Sequence, residues 1–207
     1  MFERIETATA RAISYIFHPM LLSTYAMIIL FNMRVYFSMG IPSKAKWMIG
    51  ILIFIITGLL PMLTALLMSR LGITKSIQMD QREERIWPFV ITAVFYYLGY
   101  YLLKQLELSP VFLLFMLGAF VTVVISLMIS FFWKISVHMI GMGGLVGAFT
   151  GLSLKIMIDL PILIIALIFL SGLTGFSRLK LMAHSPAQVL AGFVAGFCSF
   201  MLLLLQQ

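Results

Sequence analysis

The hydrophobic positions of this chain fall into runs of about 20 residues, the length that a helix needs to cross a bilayer. Short polar connectors separate the runs. The pattern predicts an all-α, polytopic membrane protein with about six or seven transmembrane helices. No polar stretch is long enough for a soluble domain, so residues 1–207 are expected to form one integral membrane domain. The predicted spans are residues 12–33, residues 47–68, a third from Pro88, residues 109–133, residues 138–156, a sixth from Pro161 to Gly175, and residues 186–205.

Composition supports a membrane location and narrows the class of partner. Of the 207 residues, 62% are hydrophobic and 10% are charged, against roughly a quarter charged in soluble domains. The net charge of +7 favours anionic lipid headgroups. Nucleic acid is a poor partner, because the basic residues are dispersed among the connectors. The single cysteine, Cys198, gives no disulfide framework. The N-terminus has no small-residue cleavage site, so we expect it to be retained.

Three polar connectors, at residues 70–87, 133–138 and 176–185, are separated from one another by two predicted spans each. We therefore expect them on one side of the membrane, together with the N-terminus. That side carries nine Lys and Arg residues and the other side five, a bias that alone favours the cytoplasm. If Arg82, Arg85 and Arg178 serve chemistry, the bias decides nothing. The nine are Arg4, Arg11, Arg70, Lys75, Arg82, Arg85, Lys134, Arg178 and Lys180; the five are Arg34, Lys44, Lys46, Lys104 and Lys155.

The most informative connector runs from Ser177 to Gln188. Ser185 fits a helix N-cap, a proline follows at the first helical position, and Gln188 completes a capping box. His184 would then stand at a helix N-terminus, where unpaired N–H groups favour a bound anion. With Arg178 nearby, this pattern indicates phosphate chemistry at a membrane surface.

A second connector, Lys134–His138, opens the fifth span, which is rich in glycine. Small residues recur every four positions on one face of that span and permit close helix contact. They are Gly143, Gly147 and Gly151, and the seventh span has a similar set in Ala187, Ala191, Ala195, Gly192 and Gly196. If the two faces meet, His138 and His184 come together. Such faces also pack helices in proteins of any function.

The third connector, Lys75–Arg85, would carry a basic face if it were helical. Lys75, Gln78, Arg82 and Arg85 follow spacings of three, four and three residues. Arginines in such a row bind phosphate oxygens. The alternative is a solvated interfacial segment whose arginines pair with neighbouring carboxylates. Because the other two connectors lie on the same side, we favour phosphate binding.

The histidines divide into one structural residue and two candidates for chemistry. His18 lies inside the first predicted span beside a proline, where we expect a kink and a structural role. His138 and His184 each have a polar partner at short spacing, Ser136 and Arg178. A metal site is not expected, because Cys and His do not cluster and the few carboxylates form no ligand set. No cofactor is predicted.

Together the connectors resemble the type 2 phosphatidic acid phosphatases, the membrane relatives of vanadium haloperoxidases. That family carries the motifs KxxxxxxRP, PSGH and SRxxxxxHxxxD. Ser177, Arg178 and His184 match the third motif, with Gln188 in place of its final Asp. Residues 135–138 match the second motif at Ser and His but lack its Pro and Gly.

The first motif is the poorest match. Arg85 with Pro88 nearby corresponds to its Arg-Pro end, Gln78 stands at its lysine position, and Arg82 could substitute for that lysine. The resemblance covers residues 75–200. It implies a helical bundle like that of the family, with a phosphatase-like core at residues 70–205.

The resemblance also implies metal-independent hydrolysis of a lipid phosphate in two steps. His184 would attack phosphorus to form a phosphohistidine, and His138 would protonate the leaving oxygen and then activate water. The residues that would bind the phosphate oxygens are Arg178, Arg85, Arg82, Ser136 and Ser177. In the family the final Asp orients the nucleophilic imidazole; here Gln188 would do so without a charge. Asp80 or Glu84 is a candidate source of the missing charge.

The favoured function is thus an integral membrane lipid phosphatase acting on a phosphatidate-like or polyprenyl (pyro)phosphate substrate. The alternative is a catalytically impaired family member that binds or moves anionic lipids, suggested by Gln188 and by the incomplete first and second motifs. A transporter with a histidine proton relay would need polar groups near mid-membrane, and apart from His18 the spans hold few. The resemblance favours the outer face of the cytoplasmic membrane for the site, against the raw charge count.

Overall fold

Residues 2–74 and 83–206 are described by the computed structural model, and their regular structure is entirely helical. The helices are α1 Phe2–Ile16, α2 Pro19–Asn32, α3 Tyr36–Met39, α4 Ser43–Ile53, a π-helical segment Phe54–Leu59, α5 Leu60–Arg70, a 3₁₀ turn Glu83–Arg85, α6 Ile86–Lys104, α7 Pro110–Ser130, α8 Val137–Ile156, α9 Pro161–Lys180 and α10 Pro186–Leu205. Within this part of the chain six helices are long and apolar enough to cross a membrane. The chain is therefore a multi-pass membrane protein, as the hydrophobic pattern predicts. The six are Ser43–Arg70, Glu83–Lys104, Pro110–Ser130, Val137–Ile156, Pro161–Lys180 and Pro186–Leu205.

The first predicted span bends at His18–Pro19 as expected, but the bend divides it into two helices. α1 begins at Phe2, and α1 and α2 meet at an angle of 59°. His18 has extended backbone, with φ −64° and ψ 133°, and its Nδ1 accepts the N–H of Met20 at 3.4 Å. It is thus the N-cap of α2, and Pro19 takes the first helical position, where a missing N–H costs nothing. Counted as one bent span, the pair would raise the number of crossings to seven.

The tightest helix pair is α8 with α10, and its contact is backbone against backbone. A Cβ built on Gly196 would lie 1.9 Å from the carbonyl oxygen of Ile140, and one on Gly143 would lie 2.1 Å from that of Phe193. Side chains there would push the helices apart. The predicted meeting of the two small-residue faces is confirmed, although Ala187 is exposed and the glycines of α10 make the contact.

The pairing along this seam shows that α8 and α10 run parallel. Gly192 faces the carbonyl of Ser136 near the start of α8, whereas Gly151 near its end faces Leu204. Both helices therefore begin at the same end of the bundle. Arg85, just before α6, donates to the carbonyl oxygen of Ile135 at 3.2 Å, so it reaches the same end. The shared placement of the three connectors is confirmed for their described residues.

α8 is the central helix, with 67% of its most apolar stretch buried against 22% for α10. Aromatic and methionine side chains of α2, α7 and α8 fill the core beside it, among them Met27, Phe112, Met116 and Phe149. All three tryptophans lie at span ends, as an interfacial aromatic belt requires: Trp47, Trp87 and Trp133. The connectors that carry polar chemistry are thus held at the ends of a packed bundle.

Candidate functional site

Polar side chains from four parts of the chain meet at the end of the bundle where α2, α8 and α10 begin and α9 ends. We call this set the polar cluster, and its members are Ser14, His18, Arg85, Ser136, His138, Arg178, His184 and Gln188. Two helix N-termini, those of α8 and α10, point their unpaired N–H groups at the same region. Helix N-termini favour an anionic ligand.

His184 and Gln188 are directly hydrogen-bonded to each other. Ser185 caps α10 by accepting the N–H of Gln188 at 3.3 Å, and Gln188 Oε1 accepts the N–H of Ser185 at 3.2 Å, so the predicted capping box is confirmed. The same Oε1 lies 3.0 Å from His184 Nδ1. The capping and orienting roles of Gln188 are thus compatible, because one oxygen serves both.

This shared oxygen fixes the tautomer of His184. A backbone N–H can only donate, so the atom facing Ser185 is the amide oxygen of Gln188 and not its nitrogen. An amide oxygen only accepts, so Nδ1 of His184 carries the proton. Nε2 of the neutral ring therefore keeps its lone pair, which is the form that a nucleophile needs.

His184 is buried, with 9% of its surface exposed. Burial is the main reason that its pKa is lowered to about 4; the hydrogen bond that the ring donates to Gln188 raises the pKa, and the positive charges of Arg85, Arg178 and Lys134 lower it further. The imidazole is therefore neutral near pH 7.

His138, the second residue of α8, is held by the N-terminal segment of the chain. Its Nε2 lies 3.1 Å from the backbone carbonyl oxygen of Ser14, and since a carbonyl only accepts, Nε2 carries the proton in this arrangement. His138 is close enough to Arg178 and His184 to interact with both electrostatically. The two imidazoles that the motifs single out therefore share one face of the membrane and one cluster.

Arg178, in the last turn of α9, also reaches the N-terminal segment. Its Nη1 donates to the hydroxyl of Ser14 at 3.3 Å, while its buried Nε has no hydrogen-bond partner among the described residues. Ser136, fully buried at the start of α8, likewise has a hydroxyl without a partner in that part of the chain. Unpaired buried donors are costly, and both would be satisfied by the oxygens of a phosphate.

Other predicted residues fall less directly on the cluster. The hydroxyl of Ser177 donates to the carbonyl of Leu173 at 2.8 Å, so its hydrogen is engaged within α9. Glu84 forms no hydrogen bond with His184, whose partner among the described residues is Gln188. Arg82, together with Lys75, Gln78 and Asp80, lies outside the described residues. In the part of the chain that is described, no three His, Cys, Asp or Glu side chains assemble as a metal-ligand set.

Sequence reasoning missed Ser14 and His18. The ring of His18 meets that of His138 edge to face, with centroids 5.4 Å apart, so a residue expected to be structural borders the cluster. Ser14 contacts both His138 and Arg178. A signal was present: Thr7, Ala10, Ser14 and Phe17 follow spacings of three, four and three, which is the inward face of an amphipathic helix.

Chemically, the cluster combines a neutral imidazole with a free lone pair, a second imidazole, two guanidinium groups and an unpaired hydroxyl. These are the parts that transfer of a phosphoryl group to nitrogen needs. No protein-family model, curated protein or solved structure matches this chain.

Proposed function

We propose that this protein is an integral membrane phosphatase that releases phosphate from a lipid phosphate or pyrophosphate through a phosphohistidine. The observation that carries the proposal is the pairing of His184 with Gln188, which leaves Nε2 unprotonated beside Arg85 and Arg178. A bundle of membrane-spanning helices supplies the lipid context. The motif resemblance is a further support, because the candidate residues follow one another along the chain in the order of the family motifs.

In the first step, Nε2 of His184 attacks phosphorus, and an N–P bond forms as the bond from phosphorus to the lipid oxygen breaks. His138, which takes up a proton as the anionic phosphate binds beside it, gives that proton to the leaving oxygen, so a lipid alcohol leaves. In the second step His138 takes a proton from water, the resulting hydroxide attacks phosphorus, and the N–P bond breaks. Arg85, Arg178 and the hydroxyl of Ser136 bind the non-bridging oxygens and offset the charge that grows on them.

The proposed nucleophile, His184, is oriented by the amide of Gln188, whereas the resemblance would have it oriented by a carboxylate. The amide orients the ring and fixes its tautomer but brings no negative charge to stabilise a positively charged phosphohistidine. In catalytic triads, loss of the orienting carboxylate costs about 10⁴-fold in rate. A slow enzyme is therefore expected. The same feature supports the second candidate, a non-catalytic protein that binds anionic lipids at the cluster.

Phosphate release by the purified protein in the presence of EDTA separates the two candidates. Wild-type protein should release phosphate from phosphatidate or a polyprenyl (pyro)phosphate and form an acid-labile phosphoprotein. His184→Ala should abolish both, while Cys198→Ala, an exposed position elsewhere on α10, should leave both unchanged. Lipid binding with no turnover of any of these substrates would favour the non-catalytic candidate.

We further propose that the polar cluster faces the outside of the cytoplasmic membrane, where the resemblance would have it. In a Cys198→Ala background, single cysteines at Ile73, beside the cluster end, and Arg34, in the opposite connector, report the two sides; both residues are exposed. A membrane-impermeant maleimide on intact cells should label the Ile73→Cys variant only. Labelling confined to the Arg34→Cys variant would put the cluster in the cytoplasm.

A further inference from the structure

A cavity of about 120 Å³ lies directly beneath the polar cluster, between α2, α6, α7 and α8. Its wall at the cluster end includes Pro19, Phe89 and Val137. Pro19 and Val137 adjoin His18 and His138 in the chain, and Phe89 lies one turn after Arg85. The cavity thus starts where the polar cluster stops.

The wall of the cavity is apolar in effect, although several of its side chains carry hydroxyls. Thr92 donates to the carbonyl of Pro88, Thr122 to that of Ala119 and Ser126 to that of Thr122, each at 2.7 Å. Their hydrogens are thereby committed to their own helices. Water needs two to four polar partners in a buried site, and this wall offers few, so the cavity favours a hydrocarbon occupant.

The cavity has room for a short stretch of one hydrocarbon chain, since a cavity of about 150 Å³ holds a single benzene molecule. Along α8 its lining runs from Val137 to Leu145, a step of eight residues, or about 12 Å at the rise of an α-helix. Buried side chains of Phe115, Met116 and Phe200 close the deep end. A phosphate in the cluster would sit at the open end, with the atoms that follow it directed between the four helices.

We infer that this cavity binds the carbons next to the headgroup in one hydrocarbon chain of the lipid phosphate, and that the preferred substrates carry a single acyl or isoprenoid chain. The inference rests on the proposed phosphatase function for its headgroup. A competing path exists on the outside of the bundle, where Ile168, Gly172 and Phe193 border an open apolar groove between α9 and α10. That groove is open to the membrane and would accept lipid of any shape.

Photolabelling of the wild-type protein tests the position of the chain without requiring turnover. The probe is a single-chain alkyl phosphate with a diazirine a few carbons from the phosphate, and labelled peptides are mapped by mass spectrometry. Labelling should fall on cavity residues of α2 and α7 such as Met27 and Met116. Labelling centred on Ile168 and Phe193 would overturn the inference and assign the chain to the outer groove.

Cavity filling tests whether occupancy matters for the reaction. Ala119 lines the cavity, whereas Ala166 is exposed on α9 and serves as the matched control. Ala119→Leu should raise KM for a long single-chain phosphate at least tenfold while leaving a short-chain phosphate unchanged, and Ala166→Leu should change neither. Equal effects of Ala119→Leu on both substrates, or on neither, would overturn the inference.

The two proposals fail in different ways. If wild-type protein releases no phosphate from any lipid but the probe labels the cavity, the phosphatase proposal is wrong and the proposal of chain binding in the cavity is supported. If phosphate is released but single-chain and two-chain substrates have equal kcat/KM, the phosphatase stands and the single-chain preference is wrong. A preference of tenfold or more for single-chain substrates supports the inference. Because labelling uses wild-type protein, a misfolded Ala119→Leu variant would leave the inference testable.

Discussion

The α8–α10 seam and the junction of α1 with α2 both hold residues of the polar cluster, but they do so by different means. In the seam, glycines bring one backbone onto another, so that a Cβ on Gly196 would lie 1.9 Å from a carbonyl oxygen. At the junction, Ser14 and His18 reach the cluster through hydrogen bonds and an edge-to-face ring contact. The seam cannot accommodate added side-chain atoms without separation of the two helices, whereas the junction consists of separate polar contacts.

The two kinds of contact predict different consequences for substitutions in the polar cluster. His138 and His184 begin the two helices of the seam, so their relative position is fixed by backbone packing. Ser14 and His18 are added from outside and can be removed singly. Changes in the seam should therefore act on the whole protein, and changes at the junction should act mainly on the reaction.

The largest effect is expected from Gly196→Val, which breaks the seam. The branched side chain must displace the carbonyl of Ile140, which is backbone, so α8 and α10 have to separate. Overpacking of this kind costs about 1–3 kcal/mol or more, and we expect loss of the monodisperse protein and of turnover. Gly50→Val is the matched control, because a Cβ there meets nothing within 4 Å. Equal thermal stability of the two variants in detergent would contradict the seam.

A smaller effect is expected from substitution of Gln188, which lies in the first turn of α10 and contacts His184. Gln188→Leu removes the acceptor for two donors and should cost about 1 kcal/mol through the lost cap and about 10²-fold or more in turnover through the lost orientation. Gln188→Glu keeps an acceptor for both donors and adds a negative charge, which favours the protonated form of His184 and raises its pKa above about 4.

The pH dependence of kcat/KM shows in which direction position 188 shifts the pKa of His184. His184 must be neutral to attack, so kcat/KM falls as the pH drops through the pKa of His184. In wild-type protein this acid limb should lie near pH 4, and in Gln188→Glu it should move to higher pH, with faster turnover above it. An acid limb at the same pH in both proteins would mean that position 188 does not act on His184.

The smallest effect is expected from His18, where two substitutions separate capping from the reaction. Asn is a good N-cap, so His18→Asn keeps the start of α2, whereas His18→Ala should cost about 1 kcal/mol. Both remove the ring beside His138 and should lower kcat by about tenfold, since ring pairs of this kind contribute about 0.5–1.5 kcal/mol to holding each other in place. Wild-type kcat in His18→Asn would confine this histidine to capping.

The sequence predicted the spans and the seam well because both rest on local periodicity. Apolar length predicts a crossing, and four-residue spacing of glycines predicts a close helix contact whatever the function. α10 begins at Pro186 as expected, since Ser185 and Gln188 carry a complete capping signal. The bend between α1 and α2 was placed correctly at Pro19 but understated, because proline marks a break without stating its angle.

The candidate site was predictable where a motif preserves spacing and unpredictable where tertiary contact supplies the residue. His138, Arg178 and His184 stand out by spacing. Ser14 acts partly through its backbone carbonyl, which carries no side-chain signature in any sequence. His18 was interpreted from its neighbouring proline alone, and only the bend between α1 and α2 turns its ring toward α8.

The cluster draws on residues from Ser14 to Gln188, which is nearly the full length of the polypeptide. During synthesis α1 must therefore wait until α10 has left the ribosome and docked. A chain that stops before α10 has Ser14, His138 and Arg178 but lacks Gln188, and it would expose the glycine face of α8 to lipid. Quality control of this protein should thus depend on α10, and a separately expressed α10 is the fragment most able to restore a chain that ends after α9.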